Sequence, residues 1–212
     1  MSYLNAKIAD YLADAAAGRP TPGGGSVSAF VAALGTTMSS MAANFTVGRK
    51  KFAHVEPQAK EILTRLDVFR ACLVALVDED VAAYTVVGSA YSLPRDTEDQ
   101  KAVRHAEIQK ALTVAMDVPL RIMDASLGAL ECAAELVDIA NPNLLSDAGV
   151  SAVVLDAGLR AAKLSVEVNL AGLHDRDLVS RTRDRIRDMT GRAKELRDRV
   201  LAVVEKGRAP GA

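Results

Sequence analysis

A single carboxylate interrupts an otherwise apolar stripe. Ile62, Leu66, Phe69, Leu73 and Leu76 recur in steps of four and three, which is one face of a helix. The next step lands on Asp80, and the stripe resumes at Tyr84 and Val87. A carboxylate buried without a partner is costly, or keeps its proton to a higher pH, and such perturbed acids collect at reactive sites. Two structural readings compete with a catalytic one: the helix leaves the core here, or Asp80 caps a neighbouring helix. Asp78 and Glu79 fall on other faces and read as solvated. Asp147 follows Ser146 in the first turn of a second apolar helix, where the helix dipole also favours a carboxylate. Farther along that helix Gly158, Ala162, Ser165 and Asn169 share a face of small residues ending in an amide. This suits either close helix packing or a pocket wall with Asn169 as its hydrogen-bonding group. Asp156, Arg160, Lys163 and Glu167 make a separate charged stripe, read as solvent face.

Gly23, Gly24 and Gly25 lead into a helix and can present backbone amides to an anion. They are not a dinucleotide fingerprint, since Ser28 occupies the third glycine's place, and no Gly-Lys-Ser/Thr follows. Lys50 and Lys51, beyond the other end of that helix, suit a carboxylate tail or simply favour the helix C-terminus. About 22 residues separate the two ends, roughly 33 Å of helix. They meet at one small site only through a bend or a second subunit. His54, His105 and His174 are scattered in sequence, without metal-ligand spacing, and read as surface residues, so no metal is expected. No nucleophile elbow or Cys/His grouping argues for covalent catalysis.

The elements that must carry these residues are helices. Leu4, Ile8, Tyr11, Leu12 and Ala15 space a first helix that Gly18 ends. After the Pro/Gly segment 19–25, Ser26 is placed to cap a second helix running to about Val47. Pro57 suits the first turn of a long third helix that stops before Leu93-Pro94. Thr97 and Gln100 form a capping box for a fourth, which Pro119 divides from a fifth ending near Ala140. Ser146 caps a sixth to Gly172, and a seventh, with near-heptad spacing, runs from about Asp175 to Lys206. No strand pattern emerges, so the expected fold is an all-α, single-domain bundle of about seven helices spanning 1–212.

Composition narrows the function. The 212 residues are 50% hydrophobic, 25% charged and 4% aromatic, with a net charge of −1. That balance excludes disorder and offers no global basic field for nucleic acid or an anionic membrane. The alternating charges of the seventh helix, without aromatics, read as a scaffold or subunit face. Cys72 and Cys132 lack paired spacing, which points to a reducing compartment. No secretory signal follows Met1, and a cytoplasmic location is expected. The stretch between Arg19 and Arg49 is free of charge but rich in Ser, Thr and Ala. It reads as a central helix packed on all sides rather than a membrane span.

Several blocks resemble the cyclodeaminase/cyclohydrolase family, which includes the C-terminal domain of formiminotransferase-cyclodeaminase and stand-alone methenyltetrahydrofolate cyclohydrolases. They are Pro20-Thr21-Pro22-Gly23-Gly24-Gly25-Ser26, Asn44 through Phe52, Asp80-Val81-Ala82-Ala83-Tyr84, Leu93-Pro94 before an acidic stretch, Asp117-Val118-Pro119-Leu120, Asn143 through Val150, Gly158-Leu159-Arg160-Ala161-Ala162, and Val168-Asn169. They follow the family order across almost the whole chain. Arg49 and Phe52 stand where the family often has Lys and Tyr. The resemblance implies an all-α folate enzyme, usually oligomeric, without metal or redox cofactor. It makes Asp80, Asp147 and Lys51 catalytic candidates. Thr21, Gly23, Gly24, Gly25, Ser26, Lys50 and Asn169 become substrate-binding candidates.

The reaction expected first is hydrolysis of 5,10-methenyltetrahydrofolate to 10-formyltetrahydrofolate, with Asp80 as base and Asp147 or Lys51 managing the second proton. Formimidoyltetrahydrofolate cyclodeaminase is the close alternative, and a non-enzymatic helical adaptor the distant one. The lack of a fused transferase segment in the sequence leans toward the hydrolase. A homodimer is expected, with a folate as substrate and neither nucleic acid nor membrane as partner.

Overall fold

The computed structural model describes residues 2–207. Among these it has six α-helices: α1 (Ile8–Ala16), α2 (Gly24–Asn44), α3 (Glu56–Tyr91), α4 (Glu98–Leu136), α5 (Leu145–Ala171) and α6 (Arg176–Gly207). Single 3₁₀ turns at Lys50–Phe52 and Pro142–Leu144 precede α3 and α5, and no strand occurs among the described residues. The all-α expectation holds, with six helices rather than seven.

The difference lies at Pro119, which does not end a helix but sits inside α4, itself buried. A proline interior to a helix removes one hydrogen bond, and here packing against the surrounding helices keeps the long rod continuous. The Thr97–Gln100 capping box at the start of α4 is present as the sequence implies. Ser26 is not the cap of α2, since the helix begins two residues earlier with Gly23 at the N-cap. Likewise Leu144, not Ser146, stands at the N-cap of α5.

α2 and α5 form the centre and run antiparallel. Gly158 lies against Ala32, Gly35 against Leu155, and Ser39 Oγ is 2.6 Å from Ser151 Oγ. A Cβ on Gly158 would come within 2.9 Å of the Ala32 Cβ. The small face of α5 therefore serves close packing in its middle. Ser151 Oγ also donates to the Gly35 carbonyl at 2.7 Å, so the polar residues of this apolar helix pair are satisfied locally. By length and composition α2 is the one described helix apolar enough to cross a membrane. In the bundle it packs against α3, α4 and α5. It is not packed on all sides, however: Val27, Leu34 and Phe45 are exposed.

α6 covers α4 and α5 through Val179, Thr182, Ile186, Met189, Ala193, Leu196, Val200 and Val204. The charged stripe of α5 is not wholly solvent face. Asp156 is 4% exposed and bonds Arg160 and, across the interface, Arg197 on α6. Cys132 is buried, and burial pushes its thiol up to about 11, which leaves it unreactive.

Candidate active site

The stripe of α3 passes from core to cavity at Asp80. Ile62, Leu66, Leu73 and Leu76 are buried, Asp80 is half-buried, and Tyr84 is 49% exposed. Tyr84 is therefore a wall residue and not core. Beyond Leu76 one face of α3 borders an open cavity of about 620 Å³ lined also by residues 20–25 at the entry to α2, by α4 and by the C-terminal half of α5. This volume lies within the usual range for a small-molecule site.

Asp80 faces the first turn of α2. Its Oδ2 accepts from the Ser26 backbone N–H at 2.9 Å. The side chain thus does cap a neighbouring helix, and the anion that the glycine run attracts is the protein's own carboxylate. That does not quench its chemistry. Burial pushes the Asp80 pKa above the ordinary carboxylate range, and the Ser26 hydrogen bond opposes the shift without cancelling it.

The three glycines differ in what they allow. A Cβ on Gly25 would fall 2.0 Å from Asp80 Oδ1, so the close approach of carboxylate to helix requires glycine there. At Gly23 and Gly24 the nearest atoms would be 3.5 and 3.6 Å away, ordinary contacts. Behind this wall Ser26 is fully buried, with its Oγ 3.0 Å from the Tyr11 hydroxyl. It lies behind the cavity surface and not on it. α1 is held there by Tyr11, the only buried residue of that helix. Leu4, Ile8 and Leu12 are exposed, contrary to the amphipathic spacing.

Thr21, Gly23, Gly24, Gly25, Asp80 and Asn169 meet at the cavity. Asn169 donates from Nδ2 to the carbonyls of Ala115, at 3.0 Å, and Ser165, at 3.1 Å. Asp147, Lys50 and Lys51 do not line it. Lys50 and Lys51 follow the far end of α2, which is about 31 Å long, and Asp147 opens α5 beside that same end. Lys51 Nζ lies 5.6 Å from the Phe52 ring centre.

Tyr84, Gly88 and Tyr91 on α3, Leu112 on α4 and Ser165 on α5 also line the cavity; the sequence places Ser165 on a candidate wall with Asn169 and Tyr84 on the Asp80 stripe, whereas Gly88, Tyr91 and Leu112 were missed. The available signal was the spacing from Asp80, which puts Tyr84, Gly88 and Tyr91 on its helix face. Of the described residues lining the cavity, Asp80 is the only acid, and none is a cation. Such a site favours a cationic, largely apolar guest. The scattered histidines are not all isolated, since His105 Nε2 and His174 Nδ1 are 3.0 Å apart at the surface. Among the described residues no three His, Cys, Asp or Glu side chains group as metal ligands.

Residues 7–188 match the sequence profile of formiminotransferase-cyclodeaminase. The chain is 36% identical over 201 residues to the methenyltetrahydrofolate cyclohydrolase of Methylorubrum extorquens, covering 95% of this chain and 97% of that protein. It is 32% identical to the formimidoyltransferase-cyclodeaminase of Rattus norvegicus over 96% of its own length, but spans only 38% of that longer protein. The crystal structure of formiminotetrahydrofolate cyclodeaminase from Thermotoga maritima superposes with a TM-score of 0.87 at 26% identity, covering 95% of this chain and 97% of that one. The extent of these matches leaves one conclusion: the chain belongs to the formiminotransferase-cyclodeaminase family.

Proposed function

We propose that this chain is a methenyltetrahydrofolate cyclohydrolase, acting in the cytoplasm without metal or redox cofactor. The observation that carries the reading is the lone, pKa-raised carboxylate of Asp80 in a cavity with no cationic side chain. The 5,10-methenyl bridge is a cationic amidinium, and an acid in an otherwise uncharged wall attracts it. Water attacks the methenyl carbon and gives a proton to Asp80, forming a neutral tetrahedral carbinolamine. The hydroxyl then loses its proton as the C=O bond forms, and the C–N5 electron pair moves to N5. Asp80 returns its proton to N5, which leaves 10-formyltetrahydrofolate and one proton released to solvent.

Likeness to a cyclohydrolase over 97% of that relative's length supports this reaction over its rival. The Thermotoga likeness favours the second reading, in which N10 attacks a formimidoyl carbon and ammonia leaves. Incubating the purified protein with each folate in parallel separates the two. Loss of the methenyl chromophore faster than in buffer, without ammonia release from the formimidoyl compound, is the expected outcome. Ammonia release without accelerated methenyl hydrolysis assigns the cyclodeaminase reaction instead.

The working unit in this reading is a homodimer built on the outer face of α2 and α5. Val27 and Leu34 on α2, Phe45 just beyond its end, and Val150, Val153, Leu164 and Val168 on α5 are exposed, and Glu167 is the one exposed charged residue of α5 between Val150 and Val168. Two helices side by side present roughly 30 by 20 Å, or about 600 Å² per subunit, close to the ~800 Å² per partner of a standard interface. Their charges suit an antiparallel second copy. The cavity end carries Asp80, and the far end carries the exposed Arg49, Lys50 and Lys51. A two-fold pairing brings unlike ends together and sets Lys50, Lys51 and Asp147 of one subunit toward the cavity of the other. Light scattering at micromolar concentration is expected to give twice the 22.4 kDa of the chain. A strictly monomeric mass rejects the pairing.

In that arrangement Lys50 and Lys51 bind the carboxylates of the folate's glutamate tail. Exposed ion pairs of this type contribute up to about 1 kcal/mol and are screened by salt. Lys50→Ala and Lys51→Ala are therefore expected to raise KM several-fold, most for polyglutamylated folate, with kcat little changed. A collapse of kcat at constant KM in Lys51→Ala would instead give that lysine the second proton transfer.

A further inference from the structure

Pro119 and Asn169 lie on different helices and solve one hydrogen-bonding problem together. Pro119 has no N–H, so the carbonyl four residues earlier in α4, that of Ala115, lacks its helical donor. Ala115 is 7% exposed and borders the cavity. The missing donor comes from α5, where Asn169 Nδ2 reaches the Ala115 carbonyl at 3.0 Å and the Ser165 carbonyl at 3.1 Å. Two carbonyl partners fix which end of the amide is nitrogen. Both amide hydrogens are committed, and the group left over is Oδ1, an acceptor, on a residue that lines the cavity.

We propose that Pro119 is a positioning residue: by withholding one N–H from α4 it reserves the Ala115 carbonyl for Asn169. Asn169 Oδ1 is thereby fixed as a hydrogen-bond acceptor for an N–H donor of the substrate's heterocycle. Any other residue at 119 adds a helical N–H that shares the Ala115 carbonyl and draws it back toward the axis of α4, which weakens its bond to Asn169 and lets the side chain turn. The substrate part of this inference rests on the folate reading above, whose nitrogen-rich ring system carries such donors. The positioning part does not.

A double-mutant cycle tests it. Asn169→Ala is expected to raise KM several-fold to about tenfold, and Pro119→Ala to raise it several-fold. The melting temperature of Pro119→Ala stays level or rises, because alanine is the better helix former. In the Asn169→Ala background Pro119→Ala has no further effect on KM. An unchanged KM in Pro119→Ala alone, or effects that multiply independently, overturns the proposal. Pro119→Val restores the N–H while filling more of the ring's space, and serves the same cycle if the alanine variant does not fold. Solvent exchange of the Asn169 side-chain amide, read by NMR without substrate, separates this inference from the folate reading. Slow exchange in the parent that becomes fast in the position-119 variant supports the positioning role even if no folate is turned over. Fast exchange in the parent overturns it.

Discussion

Asp80→Asn is expected to lower turnover at least about a hundredfold, the usual scale for removing a general acid–base group, while leaving the fold intact. Asparagine keeps the shape and an oxygen for the Ser26 N–H, but it cannot take a proton from water. Stability is expected to move the other way. Burial raises the Asp80 pKa above its value in the unfolded chain, so the folded state disfavours the ionised form. The contribution of this group is fully present below the unfolded-chain pKa and is lost as pH rises through the raised folded pKa. Relative to the parent, the variant's melting temperature should be level in acid and level or higher near neutral pH. A variant that unfolds, or one that stays fully active, makes Asp80 structural and removes the mechanism.

Gly25→Ala is expected to cause a loss of similar size by displacing the same carboxylate. The added Cβ would stand 2.0 Å from Asp80 Oδ1, and the movable partner is the Asp80 side chain, which must swing off the first turn of α2. Misplacing a reacting group by about 1 Å can cost on the order of a hundredfold in rate. Loss of the Asp80 cap costs about 1 kcal/mol, and replacing a helical glycine by alanine returns up to about 1 kcal/mol. The melting temperature should therefore stay within a few degrees of the parent while kcat collapses. Measuring both on one preparation decides it, and near-parental kcat would show that the tight approach of Asp80 to α2 is not needed for reaction.

What was legible in the sequence is what local periodicity and steric need encode. The apolar stripe of α3, the charge-free α2 and the Thr97–Gln100 box led to the helical fold. The polar interruption at position 80 led to the cavity. Pro119 misled because a proline's effect depends on what surrounds it: here the proline is buried within the bundle, and Asn169, 50 positions later in the chain, takes up the carbonyl it orphans. Tyr84 continued the stripe on paper, yet the wall it meets is open, and openness is decided by tertiary packing. Asp156 looked solvated in its charged stripe until Arg197, from α6, closed over it. The distance between the glycine loop and Lys50-Lys51 was already implicit in the length of α2. That apolar residues of α2 and α5 such as Leu34 and Val153 stay exposed was not, because an exposed apolar stripe carries the same sequence pattern as a buried one.

The dependence of kcat/KM on pH for methenyltetrahydrofolate, corrected for the buffer reaction, tests the role of Asp80 most directly, because it reports the ionisation of the free enzyme's essential base. Activity should rise with pH through a single limb centred above the ordinary carboxylate range, and that limb should be absent from the residual activity of Asp80→Asn. A flat profile in the parent, or the same limb persisting in Asp80→Asn, would contradict the assignment of Asp80 as the base.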